Sequence, residues 1–188
     1  MSAQDRPLRA DAARNRARLL DAAEQVFAAR GTGAPVEEVA RAAGVGVGTA
    51  FRHFPTKESL LSAVYLARLD RLGDRADLLA EAADPVAALR TFFAETVEQA
   101  ASKNALAEAL AAAGVDPHAA ASAAGTRLRA ALGALLRRAQ QAGVRPELTV
   151  SDLMSLLIGA SRAVEPLAAD PAGRARVIGV IVDGLTGG

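Results

Sequence analysis

The sequence predicts an all-α protein, and three observations carry that prediction. Alanine supplies about a quarter of the 188 residues and arginine outnumbers lysine twenty to two, a composition with strong intrinsic helix propensity. Apolar residues, 51% of the chain, recur at helical spacing through successive segments. Glycine and Asp-Pro signals bracket those segments, so that about nine helices are expected.

Residues 12–30 place Leu19, Ala23, Val26 and Phe27 on one face, with Asp11 available as a cap and Gly31 in the position after the helix where glycine is favoured. Pro35 suits the first turn of a second, short helix that ends at Gly44, and Glu37 and Glu38 suit its positive dipole end. A third short helix runs from Gly48 to Phe54 and is cut off by Pro55, which disfavours helical geometry in the residue before it. Thr56 caps a long fourth helix carrying Leu60, Leu61, Val64, Leu69 and Leu72, expected to end between residues 76 and 83.

Asp84 and Pro85 open a helix to about residue 101 with Val86, Leu89, Phe93 and Val97 on one face. A shorter helix follows over about 104–113. Asp116 and Pro117 then open a long one to about residue 142, with Leu128, Leu132, Leu135 and Leu136 inward and Gly143 closing it. Arg127, Arg129, Arg137 and Arg138 fall on its solvated face. The last two helices, about 151–168 and 171–185, are apolar on more than one side, unlike an isolated surface helix. Either both lie deep in the monomer or a second copy of the chain covers them, and the latter is favoured at the C-terminal end of a chain this small.

A formal net charge of +1 gives no bulk affinity for nucleic acid or membrane, so either would have to come from a local patch. Without cysteine there is no disulfide, thiolate nucleophile or thiolate metal site, and His53 and His118 lie far apart in the sequence. No cofactor is expected. Arginines and Asp11 interrupt residues 1–18, so no signal-peptide core is expected there, and the most apolar stretches are shorter than the roughly 20 residues a spanning helix needs. A cytoplasmic protein with no membrane segment is the expectation.

Residues 31–60 carry the functional signal. Two short helices separated by Gly44, Val45 and Gly46 match a helix-turn-helix unit. Ala40 lies one turn before Gly44, where a small side chain permits close helix approach, and Val39, Val45, Ala50 and Phe54 fill the core under the pair. The GVGVG run from Gly44 to Gly48 is not a phosphate-binding loop, since it follows a helix and lacks a Gly-Lys-Ser/Thr ending.

The run GVGVGTAFRHFPTKESL, following VEEVARAA, resembles the DNA-binding domain of TetR-family transcriptional repressors. The resemblance covers residues 14–64 in sequence and the remainder in helix count and length. It implies an N-terminal three-helix helix-turn-helix DNA-binding domain, residues 1–55, followed by an effector-binding and dimerisation domain, residues 56–188.

Carried onto this sequence, the resemblance makes Val47 to His53 the recognition helix, with Gly48, Thr49 and Arg52 nearest the base edges and Gly46 and Val47 where a polar pair is usual. Arg52 has the chemistry to donate two hydrogen bonds to guanine O6 and N7. His53 and Lys57 are assigned to phosphates; a cation in the first turn of a helix opposes the dipole, and a bound phosphate relieves that conflict. Phe51 stands where tyrosine is common and has no hydroxyl to offer, and Ala50 stands where leucine is usual. Base readout is therefore sparse, with DNA shape contributing. Arg6, Arg9, Arg14, Arg16 and Arg18 form a basic arm directed at the backbone or minor groove. From Met1 to Leu60 nine basic residues face seven acidic ones, so that arm carries the local excess.

The resemblance further implies a homodimer through residues 151–185, and an effector cavity whose opening through the fourth helix changes the spacing of two recognition helices. That spacing must match about 34–36 Å or a multiple of it. Leu69, Phe92, Phe93, Thr96, Leu106, Leu110, Ser161 and Arg162 are the candidate lining, which fits a small, largely apolar effector. Arg162 and Glu165, a turn apart, either hold a polar group or pair with each other. The resulting expectation is a ligand-responsive repressor on a palindromic operator, with a DNA-free dimeric helical module as the alternative. No spaced metal ligands or Ser/His/Asp set points to an enzyme.

Overall fold

The computed structural model describes residues 5–117 and 122–185; of residues 5–9, 101–103 and 122 only the backbone is described. Those residues form nine α-helices and no strand: α1 (Asp5–Arg30), α2 (Val36–Ala42), α3 (Val47–His53), α4 (Lys57–Ala80), α5 (Pro85–Glu98), α6 (Ala100–Ala112), α7 (Ser122–Gln141), α8 (Val150–Val164) and α9 (Pro171–Leu185). One 3₁₀ turn, Glu165–Leu167, follows α8. The all-α expectation holds. Among the described residues no helix is long and apolar enough to cross a membrane. His118 lies outside the described residues, and so do the side chains of Arg6 and Arg9.

The described residues fall into two compact units, one within Met1–Ala67 and Asn104–Ala120, the other within Arg68–Lys103 and Ala121–Gly188. The division runs through α4 and through α6.

In the first unit α1 packs on α2 and α3, and α2 packs on α3. Leu19, Ala23, Val26 and Phe27 of α1 are buried, as are Val36, Val39 and Ala40 of α2, Ala50 of α3, and Phe54. Val45 is half-buried. The first helix departs from expectation at its start: it begins at Asp5, so Asp11 lies inside it and pairs with Arg14 three residues on instead of capping. Such i,i+3 ion pairs support a helix where an apolar stripe is missing. The expected arm is thus the first half of α1.

In the second unit α5 is central, packing against α7, α8 and α9. Its Leu89, Phe92, Phe93 and Val97 are buried, together with Leu128, Leu132, Leu135 and Leu136 of α7 and Leu153, Leu157 and Val164 of α8. Asp84 caps α5 by accepting from the Ala87 N–H at 2.9 Å, with Pro85 at the first helical position. The start of α8 is fixed by a capping box: Thr149 Oγ1 accepts from the Asp152 N–H at 3.2 Å, and Asp152 accepts from the Thr149 N–H at 2.9 Å.

Polar contacts hold the second half of α4 within this unit. Arg75 makes a two-pronged pair with Glu95 of α5, Nε to Oε2 at 2.8 Å and Nη2 to Oε1 at 2.7 Å. Arg68 donates to the Gln99 carbonyl at 2.6 Å, and Arg127 of α7 pairs with Asp74, with Asp70 and Asp77 at 3.7 Å. Arg127 and Arg138, expected to be merely solvated, therefore bind their own fold, Arg138 through the Ala80 carbonyl.

Candidate nucleic-acid interface

The turn between α2 and α3 follows from glycine chemistry. Gly44 has φ +62°, a left-handed conformation that side chains disfavour. There the Val45 N–H reaches back to the Ala40 carbonyl at 2.9 Å and the Gly44 N–H to the Arg41 carbonyl at 3.1 Å. This 6→1 and 5→2 pairing satisfies carbonyls at the end of α2. Gly46 then opens α3, its carbonyl accepting from the Thr49 and Ala50 N–H groups at 2.9 and 3.0 Å. The helix stops where Pro55 follows Phe54.

Because Ala50 and Phe54 point inward, Gly46, Val47, Gly48, Phe51 and Arg52 form the exposed face of α3. Thr49 and His53 are half-buried at its margins. Arg52 makes no ion pair or hydrogen bond among the described residues, leaving its five donors available. The His53 ring lies tilted against Phe54, with centroids 6.4 Å apart.

Four other cations assigned to DNA from sequence are engaged within the protein, Arg14 through its pair with Asp11. Lys57 Nζ donates to the Gly33 carbonyl at 2.7 Å. Arg18 Nη2 donates to the Gly44 carbonyl at 3.5 Å, and the Arg16 guanidinium lies 5.4 Å from the centre of the Phe54 ring. A guanidinium over an aromatic face is attracted by the ring quadrupole. Arg16 and Arg18 therefore brace the helix-turn-helix from α1. Sequence reading missed this because the partners meet only when α1 packs across the turn.

The start of α4 is capped as expected. The Ser59 N–H donates to Thr56 Oγ1 at 3.1 Å, and the Thr56 N–H donates to Ser59 Oγ at 3.2 Å. Glu58 is held below the usual carboxylate range by its own backbone N–H and then by the Thr56 side chain, so it stays ionised beside Lys57.

The candidate effector residues are buried in separate units. Leu69, Phe92, Phe93, Thr96 and Ser161 are buried in the second, and Leu106 and Leu110 in the first. The Ser161 hydroxyl donates to the Leu157 carbonyl at 2.6 Å, a bond within its own helix. Of the two roles left open for Arg162, pairing is the one seen: Nη1 lies 3.0 Å from Glu165 Oε1.

Comparison with known proteins agrees with this geometry. Residues 19–64 match the bacterial regulatory proteins of the tetR family, and residues 84–187 match the C-terminal domain of SbtR-like transcriptional regulators. A TetR transcription regulatory protein from Mycobacterium vanbaalenii is 44% identical over 96% of this chain and 100% of its own, with a TM-score of 0.78. The TetR transcriptional regulator SCO0520 from Streptomyces coelicolor is 32% identical over 91% of this chain and 98% of its own, with a TM-score of 0.72. An all-helical chain bearing this helix-turn-helix is a DNA-binding transcriptional regulator. It belongs to the TetR family.

Proposed function

We propose that the protein is a ligand-responsive repressor that binds a palindromic operator as a homodimer and is released by a small, largely apolar effector. The exposed face of α3 carries this reading: Gly46, Val47, Gly48, Phe51 and Arg52 point outward while Ala50 and Phe54 anchor the helix from behind. Arg52 reads a guanine, and Thr49 and His53 contact the margins of the groove or its phosphates. Lys57 exchanges its Gly33 carbonyl for a phosphate oxygen. Arg14 faces the backbone, and Arg16 and Arg18 serve the interface by bracing the turn.

Dimerisation is assigned to α8 and α9, on which Leu156, Ile158 and Val180 are exposed apolar residues. The effector is assigned to the second unit, around Leu69, Phe92, Phe93, Thr96 and Ser161, whose side chains offer few polar anchors and so suit an apolar molecule. Ligand and operator then compete, because each stabilises a different arrangement of the dimer.

Selection of bound duplexes from a random-sequence library tests the reading. An enriched inverted repeat, bound with steep salt dependence, is the expected result. No enrichment at low salt overturns it in favour of a DNA-free dimeric module.

A further inference from the structure

We propose that Val47 and Phe51 read thymine through its C5-methyl group, so that each operator half-site carries thymine where this pair meets the major groove. The inference rests on the DNA-binding reading. Val47 is 43% and Phe51 38% exposed, the two large apolar side chains that α3 turns outward. Four residues apart in a helix, they lie on one face, one turn above the other.

Two exposed apolar groups on so short a helix have little in common with polar base edges. In the major groove adenine, guanine and cytosine present hydrogen-bond donors and acceptors, which a valine or phenylalanine covers without satisfying. Thymine alone presents a methyl group there, which distinguishes it from cytosine at the same position.

The surroundings of the pair fit a nucleic acid as its occupant. A Cβ placed on Gly48 meets nothing within 4 Å, and one on Gly46 meets only Thr49 Oγ1 at 3.9 Å, so the helix surface beside the pair is bare. Bare backbone permits close approach to the groove floor. Arg52 lies on the same face and Lys57 begins the next helix, which supplies cations for the adjacent phosphates. The apolar pair thus continues the interface already assigned to α3.

The test uses the operator obtained by selection, synthesised once with thymidine and once with deoxyuridine at the half-site thymines, which removes the methyl and keeps the pairing. Binding of the full-length protein is measured by fluorescence anisotropy at fixed salt. The unaltered protein is expected to lose about threefold to fourfold in affinity per contacted methyl. A Val47→Ala, Phe51→Ala double variant is expected to bind both duplexes equally; should it not fold, the single Val47→Ala variant, at an exposed position, is expected to show a smaller deoxyuridine penalty than the unaltered protein. Equal binding of both duplexes by the unaltered protein overturns the proposal. So does a deoxyuridine penalty that persists undiminished in the variants, which assigns it to DNA stiffness, and so does a selected half-site without conserved thymine. Failure to enrich any duplex sinks the DNA-binding reading itself, a result distinct from an enriched operator indifferent to the methyl.

Discussion

Nζ of Lys57 lies 2.7 Å from the carbonyl oxygen of Gly33, which ties the first residue of α4 to the loop ahead of α2. The proposed phosphate contact gives that single cation a second partner beside the backbone carbonyl. Replacing Lys57 with Met is expected to lower folding stability by about 0.5–1 kcal/mol, since the bond is exposed. It is also expected to weaken binding to all duplexes alike and to reduce the slope of log K against log salt by about 1. Unchanged salt dependence with lowered stability assigns Lys57 to the loop alone.

A different outcome is expected at Arg52, whose proposed target is a base edge. Arg52→Ala is expected to cost about 1–3 kcal/mol on the selected operator and to relax choice at one base pair per half-site. Repeating the selection with the variant checks this. Uniform weakening without relaxed choice moves Arg52 to the phosphates.

At Gly44 the backbone conformation and a crowded neighbour make separate demands. An added Cβ would come 2.7 Å from Arg18 Nη2, at the mobile end of that side chain, whereas the φ of +62° has no such remedy. Gly44→Ala is expected to destabilise by about 1–2 kcal/mol. Adding Arg18→Ala should restore little of it, as measured by denaturant unfolding of the single and double variants. Near-complete rescue identifies the guanidinium as the cause.

The pairing of Arg75 with Glu95 makes stability depend on pH. The Arg75 side-chain hydrogen bonds hold the Glu95 carboxyl below its ordinary value of 4.5. A group with a depressed folded-state pKa contributes above its unfolded value and loses that contribution as pH falls through the folded one. Both side chains are 38% exposed, so screening limits the pair to about 1 kcal/mol or less. Glu95→Gln is expected to be less stable than the unaltered protein at pH 7, with the difference closing below pH 4.5. A constant difference from pH 7 to pH 2 assigns the loss to packing.

Val180 is 75% and Ile158 51% exposed on the two C-terminal helices assigned to dimerisation. A carboxylate brought into such an interface has no partner and must be desolvated. Ile158→Glu with Val180→Glu is expected to give a folded monomer by sedimentation, with operator affinity reduced at least tenfold through loss of the second half-site. A dimer of unchanged strength places the interface elsewhere.

Caps and breakers were legible because they act within one turn. Asp84 with Pro85, Thr56 and Gly44 fix helix ends through bonds spanning at most five positions, and each end was read from the sequence. The Thr149 and Asp152 box has the same local form and starts the helix at Val150, one residue before the expected start near residue 151. The start of α1 was missed because Asp11 suits a cap and an interior ion pair equally. The burial of Leu19, Val39 and Ala50 was legible from periodicity, whereas the outward residues of α3 came from the resemblance, which also placed Thr49 there although it is half-buried.

The sequence by itself determined the helical class, many helix boundaries and the short helix pair with its glycine turn, since these depend on local propensity, capping and periodic burial. Tertiary structure alone decided what Arg16, Arg18 and Arg75 do. Arg18 meets a carbonyl 26 residues away and Arg75 a carboxylate 20 residues away. A guanidinium on a long flexible stem is equally suited to phosphate, solvent or a neighbouring helix, and only the packing of α1 across the turn and of α4 beside α5 brings a partner within reach.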